Sequence, residues 1–181
     1  MDTIGAFIDS LAQNELDRKA FAAQYPYPFL VTVEIIEDAI PGTTGADGGS
    51  AVTVAGDPAK LRRASVAARD ARVYAIKRRE GSTSAGEDIR VGRSHDNDVW
   101  VNDAEVSKLH AVLRKGKKGF EITDRGSTNG TFLNDKRIEK DKPTPLANYD
   151  SVRLGRAQKM QFLDAEGFYD YIAVLRRFVG L

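Results

Sequence analysis

From residue 72 to residue 163 the chain consists of short segments rich in β-branched and aromatic residues, each about four to six residues long. Turn-forming residues separate the segments, for example at 81–86 and 148–150. Many short strands at even spacing with turns between them are typical of a β-sandwich or barrel and not of a layered α/β fold. With the segment FLVTVEIIE at 29–37, the pattern predicts about ten strands, and TPLA at 144–147 supplies one more.

The two ends of the chain carry helical patterns instead. Near the N-terminus, apolar residues recur at the i, i+3, i+4, i+7 spacing of one helix face, with Asp2 or Thr3 as the N-cap. A second short helix is predicted at 15–24, capped by Asn14 and ended by the prolines that follow. The apolar positions are Ile4, Phe7, Ile8 and Leu11 in the first helix and Phe168, Tyr171, Ile172, Leu175 and Phe178 in a last helix.

These patterns divide the chain into three parts. We predict an N-terminal helical extension at 1–27, an all-β sandwich at 28–164, and a C-terminal helix at 165–181 that packs on the sandwich. An insertion at about 40–70 interrupts the sandwich. It begins with the Gly-rich stretch PGTTGADGGS and continues with a helical pattern.

Composition excludes several classes of protein. The chain has 181 residues and a formal net charge of +1, which argues against a dedicated nucleic-acid binder because such domains are strongly basic. It has no cysteine, which excludes disulfides, thiol nucleophiles and cysteine zinc sites, and its two histidines make a poor metal set. No run approaches the ~18 apolar residues of a membrane span, and the N-terminus lacks the basic region of a secretory signal. We therefore expect a cytoplasmic protein with no cofactor and no metal, and with neither nucleic acid nor membrane as a partner.

Three local motifs suggest chemistry that their neighbours do not support. The stretch 81–88 has the glycine spacing of a P-loop, but two carboxylates stand where the lysine and hydroxyl must be, and they would repel a phosphate. The basic run RKGKKG at 114–119 lacks interleaved aromatic residues, so it reads as a solvated hairpin tip. Ser107 and His110 have the spacing of a nucleophile and a base, but no third group orients them, and we expect no catalytic residue.

One set of strand-end residues makes physical sense as a single site. Gly92-Arg93 ends one predicted strand, 107–110 opens another, and 127–131 forms a turn. The set offers a guanidinium, an ammonium, hydroxyls and an amide at loop positions, where a rigid sandwich presents binding groups. An arginine binds phosphate through two parallel hydrogen bonds, a lysine adds a point charge, and a hydroxyl adds a short neutral bond. This combination indicates phosphate binding.

At these residues the sequence resembles the forkhead-associated (FHA) family. The run IRVGRSHDNDVWVNDAEVSKLHAVL, then FEITDRGSTNGTFLNDKRI and YDSVRLGR, follows the family's pattern in order and spacing. The resemblance covers about residues 72–163, or begins at Phe29 if the earlier strand is counted. It implies an FHA-type β-sandwich of about eleven strands, which binds phosphothreonine peptides through loops at one end.

The resemblance also implies which residues bind the ligand. Arg93 and Ser107 would bind the phosphate, and Lys108 matches a position that is often basic and contacts it as well. Thr128 would help to hold the phosphothreonine, and Asn129 would bond the peptide backbone on either side of that residue.

Four further residues would support or tune the site. By the same resemblance, Gly92 permits close approach of the strands and His110 ties the binding loops together. Gly130 supplies a turn conformation that other residues resist. Glu105 lies in a loop that often helps to select the third residue after the phosphothreonine, so an acid there favours a basic peptide residue.

Three functions are therefore compared. The first is a non-catalytic phosphothreonine-binding module whose partner is phosphorylated by a serine/threonine kinase, so that the added charge creates the affinity. The second is a phospho-independent scaffold that uses the sandwich surface and the terminal helices. The third is a hydrolase that uses Ser107 and His110.

The Gly-rich stretch adds a regulatory hypothesis. Thr43 and Thr44 lie in a segment too flexible to bury, which makes them accessible to a kinase. If either were phosphorylated, the loop would compete with external ligands for the site, since a short tether raises its local concentration. The alternative is that both threonines are unmodified loop residues.

Overall fold

The computed structural model describes residues 2–14, 16–32, 68–82, 84, 86–157 and 159–179. The predicted insertion lies outside the described residues as far as position 67, and so do Thr43 and Thr44.

The described residues form three helices and twelve strands. The helices are α1 (Ile4–Asn14), α2 (Arg18–Gln24) and α3 (Ala165–Val179). The strands are β1 (Asp2–Thr3), β2 (Phe29–Thr32), β3 (Arg72–Ala75), β4 (Ile89–Gly92), β5 (Val99–Trp100), β6 (Ala111–Gly116), β7 (Gly119–Asp124), β8 (Thr131–Leu133), β9 (Lys136–Arg137), β10 (Thr144–Leu146), β11 (Ser151–Leu154) and β12 (Met160–Leu163). None of these helices is both long and apolar enough to cross a membrane.

The strands form two sheets that pack face to face, which confirms the predicted β-sandwich. The seven-stranded sheet has the order β1-β3-β2-β12-β11-β8-β9, and the five-stranded sheet has the order β10-β7-β6-β4-β5. Strand pairing is antiparallel except between β4 and β5. The basic run at 114–119 spans the tight turn between β6 and β7, where Gly116 pairs with Gly119, so the predicted hairpin tip is confirmed.

The first hydrophobic core lies between the two sheets. The core arises from the alternation of apolar and polar residues along the strands, as β11 shows. Val152 and Leu154 point into the core, whereas Ser151 and Arg153 lie on the other face. The largest fully buried side chains of this core are Leu30, Ile76, Leu113, Ile122, Leu154 and Met160.

A second core lies between the outer face of the seven-stranded sheet and the helices. Strand β2 separates the two cores, with Leu30 facing the first and Phe29 and Val31 facing the second. Because both faces of this strand are covered, its first three residues, Phe29 to Val31, form a continuous apolar run rather than an alternating pattern. The ring of Phe168 in α3 packs on Phe29 with centroids 4.2 Å apart, and Phe7 of α1 meets Phe168 edge-on at 5.0 Å.

The N-terminal segment differs from its prediction in two respects. Asp2 and Thr3 form strand β1, which pairs with β3, while the Thr3 hydroxyl also accepts a hydrogen bond from the N–H of Ala6. Helix α2 begins at Arg18 rather than at residue 15, and its N-cap is Asp17 rather than Asn14. The Asp17 carboxylate accepts the N–H of Ala20 at 2.7 Å, which satisfies a free donor of the first turn. Strand β1 lies in the predicted N-terminal extension but belongs to the sheet. The predicted boundaries between the three parts of the chain, at 27/28 and at 164/165, therefore stay predictions.

The second core predicts a large effect of one buried ring. Replacing the fully buried Phe168 by alanine should lower the free energy of unfolding by about 3–5 kcal/mol, because the change leaves a cavity between helix and sheet. Val174 lies on the same helix but is 37% exposed, so Val174→Ala should change the free energy of unfolding by no more than about 0.5 kcal/mol. Urea unfolding followed by circular dichroism measures both. Equal losses would show that α3 contributes little through this ring.

Candidate functional site

The predicted site residues lie in three loops at one end of the sandwich: β4–β5, β5–β6 and β7–β8. Backbone hydrogen bonds join the first two loops, since the N–H of Arg93 donates to the carbonyl of Ser107 at 2.9 Å and that of Ser94 to Lys108 at 3.1 Å. The Arg93 side chain is exposed, and its Nε donates to the carbonyl of Val106 at 3.1 Å. A guanidinium is thereby held beside Ser107.

The third loop meets the second at the Ser107 hydroxyl. Ser107 Oγ accepts the N–H of Thr128 at 3.0 Å, and the two hydroxyl oxygens are 3.5 Å apart. The Thr128 and Lys108 side chains are exposed. The structure therefore brings Arg93, Ser107 and Thr128 to one rim, with Lys108 next in the chain.

A buried histidine joins the two loops from below. The His110 imidazole is fully buried; its Nδ1 accepts the N–H of Ser107 at 3.0 Å, and its Nε2 donates to the carbonyl of Gly130 at 3.2 Å. This pattern requires the neutral ring with its proton on Nε2. Burial lowers the pKa of His110 below its ordinary value and outweighs the opposing effects of the Gly130 carbonyl and the nearby Asp124 carboxylate.

The same contacts count against a hydrolase. Both ring nitrogens of His110 bond to backbone groups, so neither serves as a base for Ser107 Oγ. In the part of the chain that the structure describes, no group of three or more histidine, aspartate or glutamate side chains could hold a metal ion.

Asn129 lies between Glu105 and a pair of glycines. Its Nδ2 donates to the Glu105 carbonyl at 3.0 Å and to the Glu105 carboxylate at 3.1 Å. Gly130, at φ 83°, accepts the N–H of Gly155 at 2.7 Å. A Cβ on Gly155 would lie 2.7 Å from the Glu105 carbonyl, so only glycine permits this approach. The sequence analysis did not identify Gly155 as a residue that supports the site.

Comparison with known proteins assigns this region to a family. A sequence model of the family described as FHA domain matches residues 89–155, which include all the rim residues above. The chain contains an FHA domain.

Similarity to individual proteins is partial. The chain is similar to an oxoglutarate dehydrogenase inhibitor of Corynebacterium jeikeium, with 34% identity over 39% of this chain and 46% of the relative. It is also similar to the glycogen accumulation regulator GarA of Mycobacterium tuberculosis, with 37% identity over 36% of this chain and 38% of the relative. The structure of Mycobacterium tuberculosis EmbR in complex with a low affinity phosphopeptide has 28% identity and a TM-score of 0.41, covering 51% of this chain and 22% of that chain. The chain spans less than half of the length of the two curated relatives.

A buried carboxylate shapes the β7–β8 loop of the FHA domain. Asp124 accepts four hydrogen bonds, from the N–H groups of Gly126 and Ser127 and from the hydroxyls of Ser127 and Thr131, at 2.5–3.0 Å. Burial alone would raise the pKa of Asp124, but these hydrogen bonds outweigh it and hold the pKa below its ordinary value. The sequence reasoning did not identify Asp124; an aspartate two residues before a glycine, as in an Asx turn, is the signal that would have found it.

A buried amide fixes the β4–β5 loop in a similar way. Asn97 is 1% exposed, and its Nδ2 donates to the carbonyls of Ser94 at 2.9 Å and Lys108 at 2.5 Å. A Cβ on Gly92 would overlap the same Lys108 carbonyl, so the glycine is needed where the two loops meet. The sequence reasoning placed Asn97 only in a turn, because an amide that closes a turn and one that joins two loops look alike in sequence.

The His110 contacts predict a pH dependence of stability. An imidazole whose pKa is lowered by folding resists protonation, so the unfolded chain binds more protons below the ordinary value of 6.5. The free energy of unfolding should therefore fall as the pH falls from 6.5 toward the lower folded pKa. In an NMR titration, the ring signal of His110 should titrate below 6.5.

The chain has two histidines, so one variant assigns both signals. His95→Gln removes the exposed one, and the fall in stability should persist in this variant. A His110 signal that titrates at or above 6.5 would contradict the buried, neutral imidazole.

Proposed function

We propose that this FHA domain is a non-catalytic module that binds a peptide containing phosphothreonine. The observation that carries the proposal is the convergence of Arg93, Ser107 and Thr128 on one exposed rim. A phosphorylated threonine carries roughly −1.5 to −2 charges at pH 7, and a guanidinium beside hydroxyl and ammonium groups is the chemistry that binds it.

Each rim residue has a separate role in the proposal. Arg93 and Ser107 bind the phosphate, Lys108 adds charge from its exposed position, and Thr128 contacts the phosphothreonine. Asn129 bonds the peptide backbone; its Nδ2 is held by Glu105, and its Oδ1 accepts no hydrogen bond within the described residues, which suits it to accept a peptide N–H. Glu105 favours a basic residue in the peptide.

The wider function follows from the same chemistry. The partner is a threonine-phosphorylated protein, and a serine/threonine kinase acts upstream; we place the module in the cytoplasm. The names of the relatives, a regulator and an inhibitor, support a regulatory protein without catalysis. The scaffold hypothesis has less support, because the apolar faces of α1 and α3 are buried against the sheet rather than offered to a partner.

Removal of the guanidinium tests the proposal. Arg93→Ala should weaken binding of a phosphothreonine peptide about 10- to 100-fold, since a hydrogen bond to a charged group contributes roughly 1.5–3 kcal/mol. Lys117→Ala is the matched control, because it removes one positive charge at the β6–β7 turn, at the far end of β6 from His110. Isothermal titration calorimetry measures both variants against phosphorylated and unphosphorylated forms of one peptide.

The lone tryptophan gives an independent readout. Trp100 Nε1 donates to the carbonyl of Arg93 at 3.1 Å, so ligand binding at Arg93 should change the tryptophan emission. Binding that is indifferent to the phosphate, or that Arg93→Ala leaves intact, would overturn the proposal and favour the scaffold.

A further inference from the structure

In the part of the chain that the structure describes, helices cover only part of the outer face of the seven-stranded sheet. The second core covers it over β3, β2 and β12, where Val73, Val31 and Leu163 are buried. Over β11, β8 and β9, at the edge of the sheet, Arg153 pairs with Phe132 and Phe132 pairs with Arg137. Cross-strand partners lie on the same face of a sheet, so the three side chains form one row. We call this row the basic row.

The two arginines of the basic row extend toward the phosphate rim. The Arg153 guanidinium lies over the Phe132 ring, 4.0 Å from its centroid, and its Nη1 donates to the carbonyl of Gly155 at 2.5 Å. The Arg137 guanidinium lies so close to Gly130 that a Cβ there would overlap it. Gly130 and Gly155 are themselves hydrogen-bonded at 2.7 Å, so both guanidinium groups flank one junction.

The charge of the basic row is not balanced by the described carboxylates. In the part of the chain that the structure describes, neither Arg137 nor Arg153 forms an ion pair with a carboxylate. The neighbouring Asp135 pairs instead with Lys159 at 3.1 Å. Arg153 on β11 and Arg137 on β9 flank β8, so two like charges lie on the same face of the sheet with Phe132 between them. The two positive charges would attract an anion bound between them.

The junction places charges of both signs near Asn129. Glu105 is hydrogen-bonded to Asn129, while the Arg137 guanidinium lies against Gly130, the next residue in the chain. A peptide held at Asn129 therefore has guanidinium groups as well as a carboxylate close to it.

We propose that Arg137 and Arg153 form a second anion site for the same peptide whose phosphothreonine binds at Arg93 and Ser107. The site takes an anionic side chain that flanks the phosphothreonine, either a carboxylate or a second phosphate. This inference rests on the proposed function. Arg153 is already held by Phe132 and Gly155, so little side-chain freedom is lost when the anion binds.

Matched peptides test the second site. One phosphothreonine peptide carries neutral flanks, two others carry three glutamates on the N-terminal or on the C-terminal flank, and two more carry one phosphoserine in the same places. The wild-type chain should bind the anionic peptide of one flank roughly three- to tenfold tighter than the neutral one, the range of one or two partly exposed ion pairs. Comparison of the glutamate and phosphoserine peptides separates carboxylate from phosphate as the preferred anion.

Variants locate the gain in affinity. Arg137 lies at an exposed position of the edge strand β9. The single variant Arg137→Gln should lose part of the extra affinity for the anionic peptide, and the double variant Arg137→Gln with Arg153→Gln should lose all of it. Both should bind the neutral peptide as the wild type does. Lys136→Gln is the control, because it removes the same charge from the adjacent residue, which points to the opposite face of β9.

The outcomes separate this inference from the proposed function. If the neutral phosphopeptide binds but no anionic flank adds affinity, or if Lys136→Gln abolishes the gain as fully as Arg137→Gln, the second site is overturned and the proposed function stands. If the neutral phosphopeptide fails to bind the wild type, the proposed function is overturned and the second site falls with it.

Discussion

The neutral imidazole of His110 is the contact on which the candidate site of this FHA domain depends. It joins the backbone of the β5–β6 loop at Ser107 to that of the β7–β8 loop at Gly130, and the imidazole itself is fully buried. A buried polar group bonded at both ends is costly to break, because either loop would leave an unsatisfied group behind. The Ser107 hydroxyl can meet Thr128 only while this connection holds the two loops together.

Two other buried polar side chains also hold the loops of the candidate site in place. Asp124 folds the β7–β8 loop around its carboxylate, and Asn97 binds the β4–β5 loop to the carbonyl of Lys108. Asp124 thus supports the β7–β8 loop from within, Asn97 joins the β4–β5 loop to the β5–β6 loop, and the Val106 carbonyl holds the Arg93 side chain. A rigid, pre-organised rim loses little conformational entropy on binding, which favours affinity for a flexible peptide.

The helices contribute to the site indirectly. Their aromatic side chains cover the outer face of β3, β2 and β12; over β11, β8 and β9, within the described residues, Arg153 and Phe132 are half-buried and Arg137 is exposed. Because the aromatic cover ends at β12, Arg137 of the basic row is exposed beside the rim. The net charge of +1 conceals this distribution: Asp9 pairs with Arg69 and Asp141 with Arg125, whereas within the described residues Arg93, Arg137 and Arg153 form no ion pair with a carboxylate.

The sequence by itself determined the strands, the apolar helix faces and the identity of the rim residues, because these depend on near neighbours and on short ordered motifs. FLVT, the paired segments from 72 onward and the G-R and S-x-x-H elements can all be read without knowing what lies across the molecule. It did not predict β1, the capping role of Asp17, or the parts played by Asp124, Asn97 and Gly155. The side chains of Asp17 and Asp124 bond only to residues two to seven positions further along the chain, so their roles are local ones that the sequence carries. The roles of Asn97 and Gly155 are decided by tertiary structure, because strand order brings Asn97 to the carbonyl of Lys108 and Gly155 to the carbonyl of Glu105, and an asparagine or a glycine that meets another loop looks in sequence like one that closes its own turn.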